Sequence, residues 1–233
     1  MRRTAVLLAA LLGTLPVAGQ SFMPDSAFLA AFRWRGIGPA NMGGRVHDIE
    51  ANPANPKVIY VGFATGGVWR SDNAGTTWAP VFDATGVHAV SDIAIAPSDT
   101  SVLWVGTGEV NSRNSISPGA GIFRSGDRGA TWTHAGLRET QHIARVLVHP
   151  TDPNTVWVAA LGRAWGSNPE RGIFKTTDGG TTWRRTLAPG AAGGIDLAID
   201  PSNPAVLLAA TWDRFRLKVR GHPPQPPRNQ PVR

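Results

Sequence analysis

The sequence contains no cysteine and a single tyrosine. Without cysteine there can be no disulfide, thiolate metal site or sulfur nucleophile, so packing alone must hold the fold in an oxidising compartment. The lone tyrosine, Tyr60, lies inside an apolar run and reads as a packing residue. No apolar run is long enough to cross a bilayer, since the stretch from Ala5 to Leu12 falls short of the roughly 20 residues required. That stretch follows Arg2 and Arg3 and precedes Pro16-Val17-Ala18-Gly19, small residues suited to cleavage. Residues 1–19 are therefore expected to be a secretory signal peptide, leaving a secreted or periplasmic protein with no membrane span after cleavage.

An excess of one charge is missing from the body of the chain. The formal net charge is +7, but Arg2 and Arg3 sit in the leader, and Arg214, Arg216, Lys218, Arg220, Arg228 and Arg233 sit at the other end. Neither end carries an acid, so the residues between are close to neutral and no nucleic-acid partner is expected. What the sequence does have is 27 glycines, 19 prolines, 9 tryptophans and 42% hydrophobic residues. Such a content of turn-formers and large aromatics favours an all-β domain of short strands.

A repeat defines the architecture. Ser71-Asp72-Asn73-Ala74-Gly75-Thr76-Thr77-Trp78 recurs as Ser125-Gly126-Asp127-Arg128-Gly129-Ala130-Thr131-Trp132 and as Thr176-Thr177-Asp178-Gly179-Gly180-Thr181-Thr182-Trp183. Each copy follows a Gly-apolar-aromatic-basic run: Gly67 to Arg70, Gly121 to Arg124 and Gly172 to Lys175. Upstream lie further strands at Val58 to Val61, Val102 to Val105, Thr155 to Ala159 and Ala205 to Ala209. Before those come strands that stop at Pro53, Pro97, Pro150 and Pro201, as expected of a residue that cannot donate to the ladder. With a fourth strand beginning at the box tryptophan, each unit has four strands. Four-stranded units at this period are propeller blades. The expected fold is a partial β-propeller of about three and a half blades, at about 44–83, 88–136, 141–187 and, incomplete, 193–216.

Within each box, Ser71, Ser125 or Thr176 and Asn73, Asp127 or Asp178 have side-chain oxygens suited to the backbone groups of a tight turn. Gly75, Gly129 and Gly180 supply the position with φ > 0, and Trp78, Trp132 and Trp183 pack between strands. Asn73 in place of an aspartate argues for a structural role over a metal or sugar site.

These boxes resemble the Asp-boxes (BNR repeats) of sialidases, xyloglucan-degrading hydrolases and sortilin (VPS10-type) propellers. Gly36 to Arg45, Trp104-Val105-Gly106-Thr107-Gly108-Glu109, Ala159 to Gly162 with Trp165-Gly166, and Ala210-Thr211-Trp212 extend the resemblance to large exported bacterial proteins of sortilin-like type, over residues 32 to about 213. The resemblance implies that further strands and boxes follow the segment ending at Arg214. Here the chain reads instead as a Pro-rich basic tail over 217–233, which cannot complete a blade and is expected to be disordered. The chain is thus expected to be an N-terminal fragment lacking its C-terminal blades, with open ends prone to self-association.

Two groups of candidate site residues emerge. Aligned on the strand-ending prolines, Asp48, Asp92, Arg145 and Asp196 share one position on the strand expected to line the central channel. They would either form a polar site for a cation, sugar or peptide terminus, or satisfy backbone groups in the channel. The long loops Thr107 to Ala120 and Leu161 to Arg171 carry Glu109, Asn111, Arg113, Asn114, Arg163, Trp165, Asn168 and Glu170, which would bind a ligand or pack within the loops around Trp165. The histidines show no metal-ligand spacing, so neither a metal nor a cofactor is expected.

Retaining sialidase chemistry needs a tyrosine nucleophile and an arginine cluster, and Tyr60 is explained by packing. In the xyloglucan hydrolases the first catalytic aspartate precedes a Gly-Gly-apolar-aromatic-Arg stretch, a place held here by Ala64. The resemblance therefore implies a noncatalytic sortilin-like recognition propeller for an extracytoplasmic peptide, protein or glycan. The alternative is a fragment of an Asp-box glycoside hydrolase.

Overall fold

The structure is a computed structural model and describes residues 44–214 apart from 114, 167 and 201. The expected signal peptide and Pro-rich tail lie outside these residues. Strands β1 (Val46–Ala51), β2 (Ile59–Phe63), β3 (Gly67–Ser71) and β4 (Ala79–Pro80) form one antiparallel sheet in sequence order. A second sheet is built from β5 (Val90–Ile95), β6 (Leu103–Thr107), β7 (Ile122–Ser125) and β8 (Thr133–His134). The third comprises β9 (Ile143–Val148), β10 (Val156–Ala160), β11 (Gly172–Thr176) and β12 (Arg184–Leu187). A two-stranded sheet of β13 (Gly193–Ile199) and β14 (Leu207–Trp212) follows. The first strands of successive sheets touch one another, β1 on β5, β5 on β9 and β9 on β13, so these four strands form the hub of a partial all-β propeller.

The apolar pattern follows from that stacking. Every residue of β6 and β10 is buried, because their sheets are covered on both faces. Close stacking requires small residues on β2 and β6. A Cβ at Gly106 would lie 2.6 Å from Ile143 Cγ2, and one at Gly62 would lie 2.8 Å from Val90 Cγ1. Opposite each basic residue of the third strands stands an aromatic of the second strand: Tyr60 across from Arg70, Trp104 from Arg124 and Trp157 from Lys175. The cations lie 5.9, 5.7 and 4.7 Å from the ring centroids. Tyr60 is a packing residue, and its hydroxyl donates to the Arg128 carbonyl of the next blade at 3.1 Å.

The box turns form one repeated network. In the second, Ser125 Oγ accepts from Gly129 N–H at 2.8 Å and donates to Asp127 Oδ1 at 2.7 Å, which also accepts from Thr131 N–H at 2.8 Å. Asn73 keeps the acceptor role, taking Thr77 N–H at 2.8 Å, and uses its amide to donate to the Thr77 hydroxyl at 2.9 Å. Two successive residues have positive φ, not the glycine alone: Ala74 at 55° before Gly75 at 85°, and Arg128 at 62° before Gly129 at 86°.

The box tryptophan departs from expectation in two ways. The fourth strand begins after it, and in the second and third boxes its indole bonds to the preceding blade. Trp132 Nε1 donates to the Val81 carbonyl of the preceding blade, and Trp183 Nε1 to that of Ala135, each at 2.6 Å. Trp132 stands edge-on to Phe82 with centroids 5.0 Å apart, and Trp183 edge-on to Trp104 at 6.4 Å.

Candidate functional site

The register of each first strand is interrupted just before the column of Asp48, Asp92, Arg145 and Asp196: shifts fall between Val46 and Asp48, at Arg145 relative to Ile143, between Val90 and Asp92, and between Gly194 and Asp196. A β-bulge in every blade therefore re-aims the residue that follows it. Asp48 Oδ2 accepts the N–H of Ile93 in the next blade at 2.7 Å, and Asp92 Oδ2 that of Val146 at 2.6 Å. Arg145 cannot accept, and instead bridges Asp92 at 3.1 Å and Asp196 at 3.0 Å. Asp196 accepts from the following Leu197 N–H at 2.9 Å. The column thus ties each hub strand to its neighbour.

Beside it lies a cleft of about 250 Å³ lined in part by Glu50, Asp92, Arg145 and Leu197. Burial, followed by the charge of Asp48, pushes Glu50 up to about 7. Asp92 is pushed up to about 8, first by burial and then by Asp48, against the pull of the Val146 N–H and Arg145. Sequence reading overlooked Glu50. Its only signal was that an acid stands three residues before Pro53 where the other blades have Ala94, Leu147 and Ala198.

The second group gathers at one end of the hub. Antiparallel pairing of Val46 with Phe63 and of Phe63 with Gly67 puts first-strand starts and second-to-third-strand loops at the same end, opposite the box turns. Glu109 is fully buried there, paired with Arg45 and 3.9 Å from Arg113 Nε. Its backbone N–H donates to Ser117 O at 2.9 Å. Asn111 is exposed, and Asn114 lies outside the described residues. In the other loop Asn168 accepts from Arg163 N–H and donates to Glu139 O, both at 2.9 Å, while Arg163 pairs with Glu139. Glu139 belongs to a single 3₁₀ turn, Arg138–Thr140, which thereby anchors the loop. Glu170 is partly buried, and burial raises its pKa. Trp165 is exposed and is not the core of its loop; Leu161, Gly162, Ala164, Asn168 and Arg171 are buried there.

Several residues complete this end that sequence reading did not single out. Arg214, grouped with the basic tail by composition, is buried and reaches back to the Val110 carbonyl at 2.6 Å. Arg171 Nη1 donates to the Arg214 carbonyl at 3.3 Å. His142 is buried with no hydrogen-bond partner for Nδ1 among the described residues, and burial followed by the charge of Arg214 holds it down at about 4. His47 is also lowered by burial. These residues come from all four sheets or their loops and converge only when the blades stack. No local pattern could have joined them.

The family model described as "Sortilin, neurotensin receptor 3" matches residues 66–190, more than half of the chain. The chain belongs to the sortilin-Vps10 family. This sortilin-Vps10 chain is also 29% identical over 178 residues to a xyloglucanase of Hypocrea jecorina, covering 70% of the chain and 20% of the relative. It is 26% identical over 193 residues to xyloglucanase Xgh74A of Acetivibrio thermocellus, covering 78% of the chain and 22% of the relative. It therefore spans about a fifth of the length of these curated relatives. Among solved structures it is similar to the Niastella koreensis GH74 enzyme, with TM-score 0.56 and 21% identity over 72% of the chain and 26% of that structure. An ancestral GH74 enzyme gives TM-score 0.55 and 23% identity over 72% and 22%. At such identities the structural likeness bears on the fold alone. Among the described residues no helix is long and apolar enough to cross a membrane.

Proposed function

We propose that this chain is an exported recognition module that holds a peptide, protein or glycan at the loop end of the hub without turning it over. The observation that carries the reading is how the carboxylates are used. Asp48 and Asp92 are engaged by the N–H groups of Ile93 and Val146, and Asp92 also by Arg145. Ala64, where the xyloglucan hydrolases would have an aspartate, is fully buried. The loop end offers arginines around Glu109 and the exposed indole of Trp165, groups that hydrogen-bond and stack on a polyhydroxylated or peptidic ligand.

A second reading, part of a glycoside hydrolase, is favoured by the xyloglucanase relatives and by the raised Glu50 and Asp92 in one cleft. A carboxyl group still protonated near neutrality is what a general acid requires. Incubation with xyloglucan separates the two. Binding that is weakened by Trp165→Ala, with no release of reducing ends, is the expected result. Release of reducing ends that Asp48→Asn or Asp92→Asn abolishes would replace the first reading by the second.

A further inference from the structure

The buried polar groups at the loop end tie three sheets to one loop. His142 stands just before β9 and is 2% exposed; Arg171, at the end of the β10–β11 loop, is 5% exposed, and Arg214, just beyond β14, 4%. The ring of His142 is hydrogen-bonded to the Glu109 backbone, and Arg214 Nη1 donates to the next carbonyl along, that of Val110, at 2.6 Å. The other limb of this β6–β7 loop is closed by Gly119 N–H, which donates at 2.7 Å to the carbonyl of Gln141, the neighbour of His142. The 107–120 loop is therefore held down by the residues that lead into β9 and by the Arg214 side chain.

The charges that bear on the His142 ring are of one sign. Arg214 and Arg171 both act on it as cations. The acids at this end are turned elsewhere: Glu109 to Arg45 and Arg113, Glu139 to Arg163, while Glu170 acts with Arg163 and Asp213 acts on Arg171. His47, the other lowered histidine here, faces Glu109, Arg45 and Asp48. A proton on His142 Nδ1, which has no hydrogen-bond partner among the described residues, would add a third cation to a buried space, where like charges repel far more strongly than in water. Arg171 is fixed by the carbonyls of Arg163, Ala191 and Arg214, so Arg214 is the member that gives way.

We propose that His142 is the proton trigger of a latch: a proton taken up at Nδ1 drives Arg214 off the Val110 carbonyl and frees the 107–120 loop, so that the loop end opens as the surroundings turn acidic. The consequence for a ligand rests on the recognition reading above; the latch itself does not. His142 titrates at about 4 with the latch closed against 6.5 when it is open. The open form therefore gains as pH falls below 6.5, and the gain levels off below 4.

Amide hydrogen exchange on the full chain without ligand tests this, read at Glu109 and Gly119, with Val158 in β10 as the control and all rates corrected for their intrinsic pH dependence. Protection of the two loop amides is expected to fall about tenfold between roughly pH 7.5 and 5.5 while that of Val158 holds. His142→Gln, neutral throughout, should remove the fall. Arg214→Gln, which takes the guanidinium from the Val110 carbonyl, should exchange at the higher pH as fast as the parent does at the lower. Flat protection in the parent, a fall shared by Val158, or a fall that persists in His142→Gln would overturn the proposal. If His142→Gln does not fold, Arg214→Gln decides, and parent-like protection in it at the higher pH would overturn the latch. Because no ligand is present, the latch can fail while xyloglucan binding stands, and binding can fail while the latch stands.

Discussion

At the scale of single residues, the box turn depends on acceptor geometry and backbone conformation more than on charge. Asp127 and Asp178 are held down at about 2, first by the hydroxyls of Thr131 and Thr182 that donate to them, and Asn73 fills the same place without a charge. A non-glycine residue in the left-handed region carries a steric cost of about 1–2 kcal/mol. Ala74, at φ 55°, stands where the third box has Gly179 at φ 70°. After allowing for the extra freedom of glycine in the unfolded chain, Ala74→Gly is expected to stabilise the protein by about 0.5–1 kcal/mol, read as a higher urea midpoint with an unchanged slope.

At the scale of elements, blades are joined by a small set of recurring contacts. In the second and third boxes the indole bonds to a carbonyl of the preceding blade, Asp48 and Asp92 each take an N–H of the following one, and glycine or alanine on the second strand lets the next hub strand approach. Trp183→Phe keeps a ring edge-on to Trp104 and removes the bond to Ala135 O. It should cost about 1 kcal/mol in chemical denaturation. Among the described residues Trp78 Nε1 bonds within its own turn, to Gly75 O at 2.9 Å, and the side chain is exposed, so Trp78→Phe should cost less. Equal losses for the two variants would show that the indoles act within turns and not between blades. The box motif, the strand order and the column were all legible in the sequence, because they repeat. The bulges before the column were not, since a bulge is a property of pairing and leaves no fixed residue signature here.

At the scale of the whole molecule, stacking buries ionisable groups drawn from different blades, and this sets the pH response. Asp92 and Glu50 have folded pKa values raised to about 8 and about 7. Their contribution to stability is full at pH below their unfolded values and is lost as pH rises through 7 and 8. His142, lowered from 6.5 to about 4, acts in the opposite sense: its contribution is present above 6.5 and is lost as pH falls through 4. The two effects oppose each other below pH 6.5, while above it these carboxylates act without His142. Melting temperature is therefore expected to fall as pH is raised from 6.5 past 8. Asp92→Asn, which keeps an acceptor for Val146 N–H, should flatten that fall. A slope unchanged in the variant would remove Asp92 as its cause.

By itself the sequence determined the blades. Turn chemistry, two-residue alternation and proline stops are local, and three copies of one pattern make each unit readable against the others. It also aligned Asp48, Asp92, Arg145 and Asp196, because a repeat carries position as well as residue type. Only the tertiary structure decided what those positions do, since the column bonds and indole bonds run between blades about fifty residues apart along the chain. The loop end shows the same limit: Arg45, Glu109, His142, Arg171 and Arg214 share no local pattern, and only the stacking of sheets around the hub brings them together.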